Sequence, residues 1–331
     1  MTLQVTIIGL HQIGASIGLA LKAKQNDILR IGNDKNPDYM RDAQRIGAID
    51  KVMYNLPSAT EKADIVVLAI PPDELAETIQ VVTPCLKPGA VMIDTSPVKN
   101  PVTDMVKQYL EEERYFVSVT PTINPIYLNE ITLGSKSAHP DLFKNSIMII
   151  TAPPGTHADA LKLATDFSLL LDAIPFYADP YESDGLLAKM DLLPQLIAAA
   201  MLDSCVDQPG WSEARKVAGK HFFQLTNPIL FMEEEKPLGK MALLNSDNTL
   251  RVIDNFMNSL MELRSLIADK DEEGLHNYLL NARDGRFKWW VHREKGDWND
   301  TGEKVEIPGA GEMISQLFFG KLMKKRKGGE K

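Results

Sequence analysis

Residues 5–21 read VTIIGLHQIGASIGLAL, in which an apolar run reaches Gly9 and a helix-like pattern starts at Gly14. A strand, a glycine-rich turn and a helix in this order are typical of the dinucleotide-binding fingerprint G-x-G-x-x-G. The middle position of that fingerprint, where glycine lets the backbone approach a pyrophosphate, is His11 in this chain. The imidazole weakens pyrophosphate binding unless it rotates outward, and alternatively it donates a hydrogen bond to the pyrophosphate; we expect binding to be retained.

The residues that follow this stretch support a nucleotide site. The second strand ends at Asp34, 20 residues after Gly14, where a carboxylate accepts hydrogen bonds from the ribose hydroxyls of adenosine. A carboxylate repels a 2′-phosphate, which favours NAD over NADP, although Lys35 beside it weakens that preference. Another strand leads into Ile70 and Pro71, at the edge of the sheet where ligands bind. The predicted coenzyme is NAD, with NADP possible. The predicted cofactor-binding residues are Gly9, His11, Gln12, Ile13, Gly14, Asp34, Ile70 and Pro71.

The first half of the chain alternates short β-like runs with helical patterns, which favours a parallel sheet covered by helices. The predicted strands are QVTIIG, ILRIGND, ADIVVLAI, AVMIDTS, YFVSVT, SIMIITA and IPFYAD. The sequence therefore predicts an α/β protein with a Rossmann-type doubly wound parallel sheet over residues 1–179. An all-helical substrate and dimerisation domain follows over 180–295, and a C-terminal extension over 296–331.

Long segments of the helical half are apolar over more than half of their circumference, which requires burial on several sides. Two of them are SDGLLAKMDLLPQLIAAAMLDSC and NTLRVIDNFMNSLMELRSLIAD. A small helical domain achieves such burial by pairing with a second copy, so we expect a homodimer. The run LLPQLIAAAML is interrupted by Pro194 and Gln195, and we expect it to be too short to span a bilayer.

Composition and the chain ends set further expectations. The end of the chain reads GEMISQLFFGKLMKKRKGGEK, and we expect this basic helix to dock on the protein's own surface without membrane contact. The net charge of −9 argues against a nucleic-acid-binding protein, whose affinity would rest on neutralising phosphates. Cys85 and Cys205 lie far apart, and we expect neither a disulfide nor a metal site. No signal-peptide pattern is present at the N-terminus, so we expect a cytoplasmic protein.

Residues 90–99 read AVMIDTSPVK, a strand that ends at Asp94 and leads into a polar turn. At the carboxyl edge of the sheet, Ser96 and Lys99 can face a nicotinamide ring and an acidic substrate. This run resembles the D-x-G-S-V-K segment of the prephenate and arogenate dehydrogenase family, and the resemblance extends over most of residues 1–290. It includes the glycine turn, VVLAIPP, DLFKNSIMIITAP and the helix with LLPQLIAAAML.

The resemblance implies an NAD(P)-dependent dehydrogenase that acts on a small carboxylate in tyrosine biosynthesis. That family passes a hydride from the carbinol of a cyclohexadienol to the coenzyme, while the ring loses carbon dioxide and becomes aromatic. The family's general base is the histidine of a motif resembling H-P-M-A-G, where this chain has Thr120-Pro121-Thr122-Ile123-Asn124. A second family motif, S-H-L-P-H, corresponds to residues 191–195, DLLPQ, and both histidines are absent.

Site roles follow from this resemblance. We predict that Ser96 orients the substrate hydroxyl, that Thr120 occupies the place of the lost base, and that Lys99 supplies charge for a substrate carboxylate. The predicted substrate-binding residues are Lys99, Asn124, Asp191 and Gln195.

Alternatives to this assignment stay open. His139 and His221 are candidate replacements for the base, although a structural role is expected for both. Lys189 is a third candidate for catalysis, because a partly buried lysine beside a coenzyme can act as acid and base toward a hydroxy acid. The chain can also be an NAD-binding protein that has lost catalysis and serves regulation.

Overall fold

The computed structural model describes residues 2–24, 27–130, 132–230, 236–296 and 298, with Lys236 described by its backbone only. The helix expected within residues 299–331 lies outside the described residues. The chain divides into two units. The first comprises the described residues within 2–184 and 236–241, and the second comprises those within 185–230 and 242–298. Residues 236–241 therefore group with the first unit, although the sequence suggests a continuous helical domain.

The first unit is built on one eight-stranded sheet. Its strands are β1 (Leu3–Ile8), β2 (Ile28–Asn33), β3 (Lys51–Val52), β4 (Ile65–Leu68), β5 (Val91–Asp94), β6 (Tyr115–Pro121), β7 (Ile147–Thr151) and β8 (Ile174–Tyr177). They lie in the order β3-β2-β1-β4-β5-β6-β7-β8. The chain order reverses between β1 and β4, as in a Rossmann-type doubly wound fold, and this confirms the predicted fold class.

Helices connect and cover these strands. They are α1 (Gln12–Lys24), α2 (Pro37–Ile46), α3 (Leu56–Thr60), α4 (Leu75–Val82), α5 (Asn100–Lys107), α6 (Ala158–Leu170) and the start of α7 (Pro180–Leu187). Every residue of β4 and β5 is buried. Strands of a parallel sheet that is covered on both faces read as continuous apolar runs, which explains IVVL and VMID in the sequence.

One strand pair departs from the predicted parallel sheet. All neighbouring strands are parallel except β6 and β7, which are antiparallel. Between them, the described part of residues 122–146 contains two short 3₁₀ turns, Pro125–Tyr127 and Gly134–Ser137, and no crossover helix. Because parallel pairing requires a crossover, the chain stays at the carboxyl edge after β6 and β7 runs back. We call residues 122–146 the edge segment.

A buried arginine joins α1, α2 and β2. Arg30 donates to the carboxylate of Asp50 and to the carbonyl oxygens of Gly18 (3.0 Å) and Gly47 (2.9 Å). Burial by itself raises the pKa of Asp50, but the hydrogen bonds and charge of Arg30 outweigh it and hold that pKa below its usual value. A Cβ atom on Gly18, one helical turn after the fingerprint, would lie 2.2 Å from the carbonyl oxygen of Ala48, so a glycine here allows this close packing.

The second unit is helical. Its elements are the end of α7, α8 (Leu193–Asp203), α9 (Trp211–Val217), α10 (Lys220–Leu230), the end of α11 (Lys236–Leu244), α12 (Ser246–Ala268) and α13 (Glu272–Lys295). α7 and α8 are joined by a π-helical turn, Ala188–Leu192, into one run. Pro194 lies within this run at the start of α8, and the turn before it widens, because proline has no N–H to donate and its ring crowds the carbonyl four residues earlier.

The helical run Pro180–Asp203 is long and apolar enough to cross a membrane by length and composition, with a mean hydropathy of 1.4 over its most apolar window. Little of that window is buried. A helix that is packed against a partner subunit passes the same test of length and hydropathy, so these two properties do not identify a membrane span.

The second unit carries many large apolar side chains on its surface. Among the described residues of this unit, the buried apolar side chains are Ala188, Leu192, Ala198 and Val252. In contrast, Leu243 is 77% exposed, and Leu250, Met257 and Met261 are all more than half exposed. Exposed apolar surface of this extent is typical of a site that contacts a protein, a membrane or a ligand.

Candidate active site

The turn between β1 and α1 packs closely against the turn that follows β4. Gly9 has a φ of +88°, a left-handed conformation that favours glycine. A Cβ atom on Gly9 would lie 2.2 Å from the carbonyl oxygen of Ala69, and one on Gly14 would lie 1.9 Å from the carbonyl oxygen of Gly9. Both fingerprint positions therefore require glycine for the close approach of backbone to backbone.

The N-terminus of α1 lies directly after this turn, at the carboxyl edge of the sheet. The first N–H groups of a helix have no acceptor within the helix, and its dipole places partial positive charge there. Such an end is suited to hold a phosphate. Gln12, Ile13 and Gly14 form the first turn of α1. Their predicted contact with a coenzyme stays a prediction, and the Gln12 side chain itself donates to the Ser137 carbonyl oxygen at 3.1 Å.

His11 packs against α2. The imidazole and the ring of Tyr39 have centroids 4.3 Å apart and planes tilted by 60°. The ring that stands at the middle fingerprint position is thus held by an aromatic neighbour, which supports binding being retained at this turn. Whether His11 donates to a pyrophosphate stays a prediction.

Asp34 directly follows β2 and is buried. Its Oδ2 accepts from the N–H of Leu10 at 2.7 Å, and its Oδ1 accepts from the N–H of Asn36 at 2.8 Å. A carboxylate has about four lone-pair positions, so this side chain can fix the glycine turn and still receive ribose hydroxyls. The sequence predicted the second role only.

The turn after β4 completes the crevice. Ile70 approaches the glycine turn closely, with its Cγ2 atom 2.8 Å from the position of a Cβ on Gly9, and Pro71 follows it. Oδ1 of Asp73, two residues further on, is buried and has no hydrogen-bond partner among the described residues. A buried acceptor in this state is suited to receive a hydroxyl or amide donor of a ligand. No pattern in the sequence pointed to Asp73.

These residues fit a dinucleotide. Backbone approach at two glycines, a free helix N-terminus, a buried acid after β2 and an orphaned acceptor after β4 converge where the strand order reverses. When a coenzyme is bound, Gly9, Gly14 and Asp34 would hold it. Within the described ranges, no group of three His, Cys, Asp or Glu side chains is placed to hold a metal ion.

Ser96 and Thr120, which the sequence predicted as catalytic residues, are neighbours at the ends of β5 and β6. The hydroxyl of Thr120 donates to the carbonyl oxygen of Ser96 at 2.7 Å. The hydroxyl of Ser96 is within hydrogen-bond distance of two acceptors, Oδ2 of Asp94 at 2.9 Å and the carbonyl oxygen of Val98 at 3.1 Å. Compared with D-x-G-S-V-K, Ser96 stands at the glycine position and Pro97 at the serine position, so its role is not inherited from the motif in register.

Lys99 does not supply charge to a substrate directly, and this part of the prediction is wrong. Its side chain is 0% exposed, and Nζ donates to Oγ of Ser118 at 2.5 Å, to the carbonyl oxygen of Ser96, and to Oδ2 of Asp94 at 3.4 Å. Desolvation lowers the pKa of Lys99, and the charge of Asp94 opposes this shift only in part. Lys99 therefore stabilises the turn that carries Ser96.

Asp184 is a buried carboxylate that the sequence did not reveal. It accepts from the N–H groups of Lys99 at 2.6 Å and Asn100 at 3.0 Å, and so satisfies the start of α5. The two partners lie 85 and 84 residues earlier in the chain. No local pattern could have indicated this contact.

The edge segment rests on α1 and α2. The N–H of His139 donates to Oγ of Ser16 at 3.0 Å, and Gly134 approaches the ring of Tyr39. The imidazole of His139 stacks on Tyr127 with centroids 3.9 Å apart and lies 3.3 Å from a carboxylate oxygen of Glu130. These contacts support the structural role that was expected for His139.

Asn124 lies at the start of the edge segment and is buried. Its Nδ2 donates to the carbonyl oxygen of Asp141 at 3.1 Å, and its Oδ1 accepts from the N–H of Ile126 at 3.3 Å. Both ends of the amide thus shape this segment, and the predicted contact with a substrate stays a prediction.

The remaining candidates lie in the second unit. Lys189 and Asp191 are exposed and belong to the π-helical turn, and Nε2 of Gln195 donates to the carbonyl oxygen of Asp191 at 3.0 Å. His221 is exposed near the start of α10. The predicted substrate contacts of Asp191 and Gln195 stay predictions.

Strand order, glycine turn and the acid after β2 define the first unit as a dinucleotide-binding domain of the class used by nicotinamide-dependent dehydrogenases. Residues 17–174 match the family model described as the prephenate dehydrogenase nucleotide-binding domain, and residues 179–281 match the prephenate dehydrogenase dimerization domain. The two matches cover most of the chain, which therefore belongs to the prephenate dehydrogenase family.

Individual relatives agree with this assignment. The chain is 24% identical to the prephenate dehydrogenase of Lactococcus lactis over 297 residues, 88% of this chain and 78% of the relative. It is 25% identical to the cyclohexadienyl dehydrogenase of Zymomonas mobilis over 286 residues, 86% and 94% of the two chains. Its fold is similar to the Aquifex aeolicus prephenate dehydrogenase solved with hydroxyphenyl propionate and NAD+, with a TM-score of 0.77, 23% identity and coverage of 87% and 98%.

Proposed function

We propose that the chain is a cytoplasmic, NAD-dependent dehydrogenase that oxidises and decarboxylates a cyclohexadienol carboxylate of the prephenate or arogenate type, a step of tyrosine biosynthesis. The observation that carries the proposal is the hydrogen bond from Thr120 to the Ser96 carbonyl. It joins the two predicted catalytic residues at the sheet edge that also holds the glycine turn. The family assignment and the named relatives support the same reaction.

The proton of the substrate hydroxyl requires an acceptor, because no histidine stands at Thr120. When the Ser96 hydroxyl donates its proton to Oδ2 of Asp94, the nearer of its two acceptors, its lone pairs are open to the substrate hydroxyl. We infer that Ser96 accepts the carbinol proton as it gives its own to Asp94. A bound NAD would supply the hydride acceptor. After carbon dioxide has left the ring, the proton returns from Asp94 through Ser96 to the ring oxygen of the aromatic product. Thr120, whose proton is donated to Ser96, accepts a hydrogen bond from the substrate.

The hydroxy-acid alternative receives less support. It depends on a partly buried lysine, whereas Lys189 is exposed. The cyclohexadienol reaction instead uses groups that the structure brings together, namely Ser96, Thr120 and Asp94.

The test is NADH formation from prephenate and from arogenate by the wild type and by Ser96→Ala. We expect Ser96→Ala to lower kcat by about 100-fold or more, the usual range for a group that handles the proton. NADH affinity, measured by fluorescence titration, should be retained. Ser58→Ala, a change of the same kind on α3, is the matched control and should keep its kcat. A Ser96→Ala enzyme with the kcat of the wild type would contradict the proposed role.

A further inference from the structure

An ion pair closes across the two turns that flank the nucleotide crevice. Lys35 follows Asp34 at the carboxyl end of β2, and Glu74 caps the start of α4 after β4. Nζ of Lys35 is in contact with Oε1 of Glu74. The lysine side chain is 58% exposed and the glutamate side chain 24%, so the pair is open to solvent on the lysine side.

The position of Lys35 relates this ion pair to the choice between NAD and NADP. In Rossmann-type sites the acid after the second strand binds the 2′-hydroxyl of NAD, and a nearby cation accommodates the 2′-phosphate of NADP. Lys35 is the residue directly after that acid, and it is the cation that such a phosphate would meet. Its ammonium group is engaged by Glu74 instead.

The charges on these turns disfavour a second anion. Asp34, Asp73 and Glu74 contribute three carboxylates beside the single ammonium group of Lys35. Glu74 also stands at the N-cap of α4, where the helix dipole stabilises its negative charge. A 2′-phosphate would have to displace this carboxylate from Lys35.

We propose that Glu74 is a specificity-determining residue that selects NAD over NADP by keeping Lys35 from the 2′-phosphate. The inference rests on the proposed coenzyme and goes beyond it, because it assigns the choice of coenzyme to a residue outside the glycine fingerprint. Asp34 excludes the phosphate by its charge, and Glu74 removes the cation that would otherwise offset that charge.

The experiment compares NADH and NADPH binding to the full-length protein by fluorescence titration, and the quantity measured is the ratio of the NADPH to the NADH dissociation constant. Glu74→Gln keeps the size of the side chain and removes its charge. We expect the ratio to fall about 1.4- to fivefold, as an exposed ion pair is worth roughly 0.2–1 kcal/mol. The decrease in this ratio should be smaller at high salt than at low salt, since both partners are open to solvent.

Two further variants separate this mechanism from a general change of charge. In Lys35→Met/Glu74→Gln most of the decrease in the ratio should disappear, because the cation that would bind the phosphate is absent. Asp42→Asn removes the acid of a comparable surface pair with Arg45 on α2 and should leave the ratio unchanged. A ratio that does not move in Glu74→Gln, or that moves as much in Asp42→Asn, would overturn the inference.

These outcomes are distinct from a failure of the proposed function. A wild type that binds NADH but turns over neither substrate would contradict the proposed reaction and leave the coenzyme inference standing. A wild type that binds neither nucleotide would overturn both.

Discussion

The buried charge of Lys99 is compensated by several polar groups around it. Its ammonium group lies wholly inside the first unit and is satisfied by Asp94, Ser118 and the carbonyl oxygen of Ser96. Removal of one partner from a buried pair leaves the other charge without compensation, and this is more costly than the loss of an ion pair at the surface.

We predict that Lys99→Met lowers the free energy of unfolding by about 3–5 kcal/mol, because the buried Asp94 carboxylate loses its counter-charge. Lys107→Met, which removes an exposed partner of Asp104, should cost at most about 1 kcal/mol. Urea unfolding measures both values. Equal decreases in the free energy of unfolding for the two variants would show that the buried Lys99 pair contributes no more to stability than the exposed pair.

The same residue sets a pH dependence. Folding lowers the pKa of Lys99, so the unfolded chain keeps this proton to a higher pH than the folded protein does. The free energy of unfolding should therefore rise with pH above the folded pKa, until the ordinary lysine pKa is reached. This rise should be absent in Lys99→Met.

Residues with a local signature could be predicted from the sequence, and those defined by distant partners could not. Gly9, Gly14 and Asp34 belong to one strand-turn-helix-strand unit, and their spacing alone indicates a nucleotide site. The burial of Lys99 depends on Ser118 from the next strand and on Asp184 from a helix 85 residues away. From the sequence alone, Lys99 in its polar turn is therefore predicted to face the substrate.

Among the elements of the fold, the edge segment links the glycine turn between β1 and α1 to β6, the strand that carries Thr120. Tyr39 stands between the two, with the ring of His11 on one side and the backbone of Gly134 close by. Gly134 has a φ of +67°, and a Cβ added there would lie 3.0 Å from the Tyr39 ring. Any side chain at this position must push against the residue that holds His11.

We predict that Gly134→Ala weakens NADH binding several-fold and destabilises the protein. Gly155→Ala is the matched control, because Gly155 also has a positive φ, +83°, but a Cβ there meets nothing within 4 Å. Both variants carry the strain of a left-handed alanine, about 1–2 kcal/mol. Gly134→Ala should lose roughly a further 1 kcal/mol from overpacking. Titration with NADH and urea unfolding test this, and equal NADH affinities in the two variants would contradict it.

The sequence predicted most strands and helices but not two of their connections. Alternation of apolar strands and amphipathic helices gives seven of the strands, whereas β3 has two residues and leaves no pattern. The antiparallel β7 follows from an edge segment without a covering helix, and periodicity does not report the direction of a strand. The segment through Pro194 is helical as predicted, but the apolar pattern does not distinguish the π-helical turn between α7 and α8 from a regular helix.

At the scale of the whole molecule, the surface of the second unit supports the proposed homodimer. Leu250, Met257 and Met261 recur at helical spacing on α12 and are exposed, and residues 179–281 match a dimerization domain. Burial of such a face between two copies supplies the core that the described residues of this unit lack.

We predict that the protein has twice the mass of the chain in light scattering after size exclusion. Met257→Asp should shift it toward the monomer, because a carboxylate buried in an apolar interface is costly. Val81→Asp introduces the same change at an exposed apolar residue of α4 and should leave the mass unchanged. A wild type that stays monomeric at micromolar concentration would contradict the dimer.

We expect this chain to be an active dehydrogenase although Thr120 replaces the family's histidine. The most direct measurement is the formation of NADH and carbon dioxide by the wild-type protein supplied with NAD and either prephenate or arogenate. We predict that one of the two substrates yields NADH and carbon dioxide in equal amounts, together with an aromatic product. Tight NADH binding without formation of either product from both substrates would contradict the account and favour an NAD-binding regulatory protein.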